Sequence, residues 1–158
     1  MTSDSLTEID LRILKQMQKD SSLSSGELAE RVGLSQSPCW RRLQRMKDEG
    51  YIEKQVALLD RGKFPHTTVI FATLKISTLT DSERADFYRK VELREEIVEC
   101  YTLFGERDVM IKVLATSMEW YQNFIFNVLM KLPGVVDIQS TVTLSEVKYT
   151  TAIPLQGT

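Results

Sequence analysis

The first sixty residues place apolar side chains at helical spacing. Leu6, Ile9, Ile13 and Met17 recur every three or four positions, the pattern of one buried stripe on a helix, with Thr7 placed to cap it. In SSLSSGELAERVGLS, Ser24 and Glu27 fit a capping box, Leu28 and Val32 form the buried face, and Gly33 ends the helix. A third helix follows from Ser35, with Pro38 in its first turn, where a missing N–H does little harm, and Gly50 beyond its end. YIEKQVALLD reads as a short β wing. Three helices with a tight turn between the last two, then a wing, predict a winged helix-turn-helix.

From Thr67 the period becomes two. In TTVIFATLKIS, Ile70, Ala72, Leu74 and Ile76 share one side of a strand. DSERADFYRKVELR predicts a helix burying Phe87, Val91 and Leu93. EIVECYTLFG and RDVMIKVLA predict two strands joined at Gly105–Arg107. SMEWYQNFIFNVLMKLPG predicts a second helix, and VVDIQSTVTLSEV a fourth strand with Val136, Ile138, Val142 and Leu144 on one face. The order β-α-β-β-α-β is ferredoxin-like. The chain is therefore expected to be α+β: a helix-turn-helix domain over 1–60, a linker over 61–66 carrying Gly62 and Pro65, and a ferredoxin-like domain over 67–158. One face of that sheet lacks helices. It is expected to carry Val69, Phe71, Cys100 and Met110, too apolar for water, which predicts a dimer or larger assembly. The tail KYTTAIPL either continues the sheet or crosses to a neighbour.

Composition narrows the function. No apolar run reaches the roughly 20 residues of a spanning helix, and MTSDSLTEID is polar, so a cytoplasmic location and no membrane partner are expected. Two cysteines far apart and a single histidine, His66, offer no metal site, no disulfide framework and no Ser-His-Asp triad. No paired acid and base stands out, so an enzyme is not expected. The net charge is −2, yet residues 31–54 hold six cations against three acids, a local balance of +3. A basic face on a near-neutral body is the usual footprint of a DNA binder.

That face lies in LSQSPCWRRLQRMKDEGYI. Cys39, Leu43 and Met46 share one side of a helix and are expected to face the first two helices. Gln36, Ser37, Trp40, Arg41 and Gln44 then point away, flanked by Arg42 and Arg45. Gln suits adenine and Arg suits guanine through bidentate hydrogen bonds, while flanking cations meet phosphates. These seven residues form the candidate DNA-binding set. Two other readings stay open at this level. The arginines could pair with Asp48 and Glu49 on a solvated face, and Trp40 could cover the wing instead of touching DNA. Cys39, beside cations, could be a redox thiol, but its core-facing position favours a small apolar contact.

RVGLSQSPCWRRLQRMKDEGYI after EIDLRIL, the turn FGERD, KLPGVVDI and TLSEVKYTTAIPL together resemble the Lrp/AsnC family of bacterial and archaeal transcription regulators. The resemblance spans about Leu6 to Pro154. It implies a DNA-binding winged helix joined to an amino-acid-sensing domain, with no bound cofactor. It also implies dimers that associate into octamers, and small effectors held between sensing domains of neighbouring dimers. The family's acid at the FGERD turn corresponds to Asp108, beside Gly105, whose small size permits close backbone approach. Turn amides and an acid suit the carboxylate and ammonium of a free amino acid. Other family pocket positions correspond to Ile70, Met118, Thr141 and Val142. Two departures stand out, Val109 where an aromatic is common and Arg107 beside Asp108: either the ligand differs from the family's usual one or Asp108 is tied in a structural ion pair. The competing expectation is an architectural, nucleoid-associated protein that wraps DNA without an effector.

Overall fold

The computed structural model describes residues 6–64 and 68–155; Pro65 and His66 of the expected linker lie outside them. The chain divides into two units. One joins residues up to Leu58 with those from Lys148 onward; the other spans Leu59–Val147.

In the first unit, α1 covers Glu8–Lys19, α2 Ser25–Val32 and α3 Gln36–Asp48. Thr7 caps α1 reciprocally with Asp10, and Ser24 caps α2 reciprocally with Glu27. Each box satisfies amides that a helix start leaves unpaired. Ser35 sits at the N-cap of α3 with extended backbone, but its side chain makes no capping hydrogen bond. Gly33 (φ 73°) turns the chain between α2 and α3. Such a left-handed turn is costly for residues with a Cβ. Ile13, Leu28, Val32, Cys39 and Met46 are buried together, with Leu43 packed against them, as helical spacing requires.

Two expectations for this unit change. Residues 52–60 form no β ladder, so the wing is not a β element among the described residues. An extended segment needs a partner strand, and this one instead leaves Val56, Leu58 and Leu59 exposed. The tail does not extend the sheet. The Gln18 side chain donates to the Ile153 carbonyl (3.1 Å) and accepts the Ile153 amide (2.7 Å), and Leu155 packs against the helical core.

In the second unit, a 3-10 turn at Arg61–Lys63 precedes β1 (Thr68–Ile76), α4 (Asp81–Glu92), β2 (Ile97–Thr102), β3 (Val109–Ala115), α5 (Met118–Asn127) and β4 (Val135–Val142). The antiparallel sheet has the order β2-β3-β1-β4, the ferredoxin-like arrangement. Ile70, Ala72 and Leu74 of β1 and Val109, Ile111 and Val113 of β3 alternate inward under Phe87, Val91, Tyr121 and Phe124. Leu93 stays exposed at the end of α4, where the helix no longer faces the sheet.

Bulges revise two face assignments. Between Ile97 and Glu99 the register against β3 shifts, so Cys100 pairs with Ile111 and lies on the covered face. Strict alternation had put it on the bare one. A second shift, at Lys75/Ile76, leaves Val136 outside while Val135 packs on the core. One extra residue in one strand reverses the facing of everything beyond it. The bare face carries Val69, Phe71 and Met110, with Tyr101 opposite Met110 and a Lys112–Glu99 ion pair of 2.8 Å.

Candidate functional site

Helix α3 presents two kinds of side chain. Gln36, Ser37, Trp40 and Arg41 are exposed, Trp40 at 53%. Gln36 Nε2 donates to Ser25 Oγ at 2.8 Å, joining the start of α3 to the start of α2. Gln44 Nε2 donates to Asp48 Oδ1 at 2.9 Å, one helical turn away. The backbone thus brings Gln36, Ser37, Trp40, Arg41 and Gln44 onto one outward face, as helical spacing requires.

Arg42 and Arg45 differ. Arg42 Nη1 lies 3.0 Å from Asp10 Oδ1, and Arg45 Nη2 lies 2.8 Å from Asp10 Oδ2. Their partner is a carboxylate of α1 and not Asp48 or Glu49. Sequence reasoning missed Asp10. The signal was present: Leu6, Asp10, Ile13 and Met17 fall on one stripe, so an acid stood where an apolar residue was due.

The expected ligand residues fall into two groups. Thr141 pairs with Phe71 and Val142 with Ile70, at the start of β1 and the end of β4. Met118 is exposed at the first turn of α5, just after β3 ends. Asp108 and Gly105 lie at the other end. The Asp108 amide donates to Leu74 O, and its Oδ2 accepts the Ile76 amide at 2.7 Å. Ile70 and Ile76 stand six residues apart on one strand, about 20 Å at ~3.3 Å per residue. One copy of the chain therefore does not bring the two groups together. Ile70 differs from the others in burial: its side chain is fully buried among the sheet and helices.

The electrostatics around Asp108 also depart from expectation. Arg107 binds Asp137 and reaches Gln139 at 3.3 Å, so it does not form the ion pair with Asp108. Lys75 does, with Nζ 3.3 Å from Oδ2. The Ile76 amide is the largest effect and outweighs desolvation, and Lys75 and Arg107 lower the Asp108 carboxyl further below the usual carboxylate range. A cleft of about 280 Å³ lies beside it, lined by Ser77, Arg84, Phe87, Tyr88, Thr102 and Asp108 among others. Among the described residues no group of acids, cysteines or histidines could hold a metal ion, and no helix is long and apolar enough to cross a membrane.

A helix-turn-helix followed by a four-stranded sheet with helices on one face defines a DNA-binding regulator that carries a ligand-binding domain. Residues 6–53 match the winged helix-turn-helix DNA-binding model, and residues 69–153 match the Lrp/AsnC ligand binding domain. The chain belongs to the Lrp/AsnC family of transcriptional regulators. It is 32% identical over 150 residues to the transcriptional regulator AzlB of Bacillus subtilis, covering 95% of this chain and 96% of that protein. It is also 32% identical over 151 residues to the leucine-responsive regulatory protein of Escherichia coli K12, covering 96% and 92%. A Neisseria meningitidis transcriptional regulator solved in complex with L-Met superposes with a TM-score of 0.90 at 35% identity, over 95% of this chain and 97% of that one.

Proposed function

We propose that this regulator reads the major groove with the outward face of α3 and responds to an amino acid bound between sensing domains of an assembled oligomer. The carrying observation is the division of α3. Cys39 and Met46 are buried against α1 and α2, which leaves Trp40 and Arg41 outward near the helix N-terminus. Residues there reach base edges in a helix-turn-helix. Ser37, Gln36 and Gln44 complete that face.

An amino acid is the effector class favoured here, because the Neisseria relative was solved with L-Met. The distribution of ligand residues supports assembly. A ligand touching both Asp108 with Gly105 and Met118 with Thr141 and Val142 needs a second copy, since the groups stand about 20 Å apart. The bare apolar face, with Val69, Phe71, Met110 and Tyr101, suits a homodimer contact, and dimers then associate to an octamer.

The test uses thermal unfolding with each standard amino acid in turn. A ligand that binds only the folded state at a hundred times its Kd stabilises by about 2.7 kcal/mol. A clear upward shift with one or a few of them is expected. No shift with any would remove amino-acid sensing and favour a DNA-wrapping protein without an effector.

A further inference from the structure

Asp10 is the fully buried acid of the helix-turn-helix among the described residues. Its Oδ2 accepts the Thr7 amide (2.9 Å), the Thr7 hydroxyl (2.6 Å) and Arg45 Nη2 (2.8 Å); its Oδ1 accepts Arg42 Nη1 (3.0 Å). Burial alone would push this carboxyl up. The Thr7 hydrogen bonds and the two arginines outweigh it and hold the group below its ordinary value, so it is ionised at neutral pH. A carboxylate shut away from water depends on its partners, because removing them leaves a buried charge uncompensated. Arg41 is in a different position: it is exposed and forms no ion pair among the described residues.

We infer that Asp10 is a positioning residue for DNA binding, which fixes α3 against α1 and withholds Arg42 and Arg45 from DNA phosphates. The inference rests on the reading that α3 faces DNA. Its consequence is selective. Two of the three arginines on α3 serve the domain's internal geometry, and of the three only Arg41 is left to join the outward face in contact with DNA. Masking these cations also limits sequence-independent attraction, which grows with every phosphate neutralised. A recognition helix with fewer phosphate contacts leaves a larger share of its affinity to base readout.

The experiment measures binding to a mixed-sequence DNA duplex and to the protein's own promoter region across a salt series, by fluorescence anisotropy. Each phosphate contact adds about 0.9 to the slope of log K against log salt. R42Q and R45Q are expected to keep the parent slope, because neither arginine meets a phosphate while Asp10 holds it. R41A is expected to flatten it. D10N, which keeps an acceptor for Thr7 but loses the charge, is expected to steepen it by up to about 0.9 per bound helix through the freed Arg42. D10N should also narrow the preference for promoter over mixed sequence. A loss of fold alone would weaken binding without steepening the slope, so the two effects separate. Where circular dichroism shows D10N unfolded, the glutamine variants decide the matter alone. An R42Q or R45Q that circular dichroism shows folded and that flattens the slope by about 0.9 per helix overturns the inference, as does a folded D10N with the parent slope. If R41A binds as the parent does, the DNA-facing reading of α3 fails and this inference fails with it. If R41A and R42Q both flatten the slope, only the withholding by Asp10 fails.

Discussion

The Asp108 carboxylate accepts the Ile76 amide at 2.7 Å, while the Asp108 amide donates to the Leu74 carbonyl at 3.0 Å. The side chain thereby continues the β1–β3 ladder past the last regular pair, Leu74 with Val109. Its pKa is held below the ordinary 3.8, first by that amide and then by Lys75 and Arg107. A carboxyl whose folded pKa is depressed stabilises the fold above its unfolded pKa and loses that contribution as the pH falls through the folded value. Asp108→Asn should therefore unfold more easily than the parent at neutral pH, by a constant margin down to about pH 5. The margin should shrink below about pH 4 as the parent's own carboxylate protonates. Urea melts across that range check this, and a margin unchanged down to pH 3 contradicts it.

Trp40 exposes 53% of its surface on the outward side of α3. Little packing is lost when it is truncated in the free protein. Trp40→Ala should change stability by no more than about 0.5 kcal/mol, the range of ordinary surface substitutions. Binding to promoter DNA should weaken at least several-fold if the indole meets the groove. A melting temperature that drops by several degrees would instead make Trp40 a packing residue of the domain.

Cys39 is fully buried between the helices, and burial pushes its thiol up from the ordinary value. Thiolate is the reactive form, so burial works against the redox role that the neighbouring arginines would favour. Alkylation at pH 8 should be slow in the folded protein and fast in urea. Cys39→Ser should cost about 1–3 kcal/mol, since it buries a hydroxyl among apolar side chains. Rapid alkylation of Cys39 with the fold intact would restore the redox reading.

Local chemistry was the legible part. Thr7, Ser24 and Gly33 announce helix ends because caps and left-handed turns are settled within a few residues. The alternation in β1 and β3 fixed their covered faces for the same reason. What escaped depends on distant partners. Cys100 lies on the covered face because of a bulge visible only in pairing with β3. Arg42 and Arg45 are claimed by an acid more than thirty positions earlier. The two groups of residues expected to meet a ligand lie toward opposite ends of the sheet, which a set of motifs cannot register.

The tail shows the same dependence on distance, and it carries a stability prediction. Gln18 and Ile153 exchange two hydrogen bonds across 135 positions, the side-chain amide of one meeting both backbone groups of the other. The pairing resembles a single rung of a β ladder in which a glutamine replaces the partner strand. Leu155 then packs against the core of the helical unit. Both hydrogen bonds are exposed, so water competes for them and each is worth at most about 0.5–1.5 kcal/mol. Gln18→Ala should thus destabilise the helical unit by about 1 kcal/mol. Ending the chain after Thr151 should cost more, because it also uncovers the apolar contacts of Leu155. Chemical denaturation followed by Trp40 fluorescence reads this unit, since Trp40 lies on α3 while Trp120 reports the sheet. Equal stability of parent and truncated chain would mean that the tail rests on the helices without contributing to their folding.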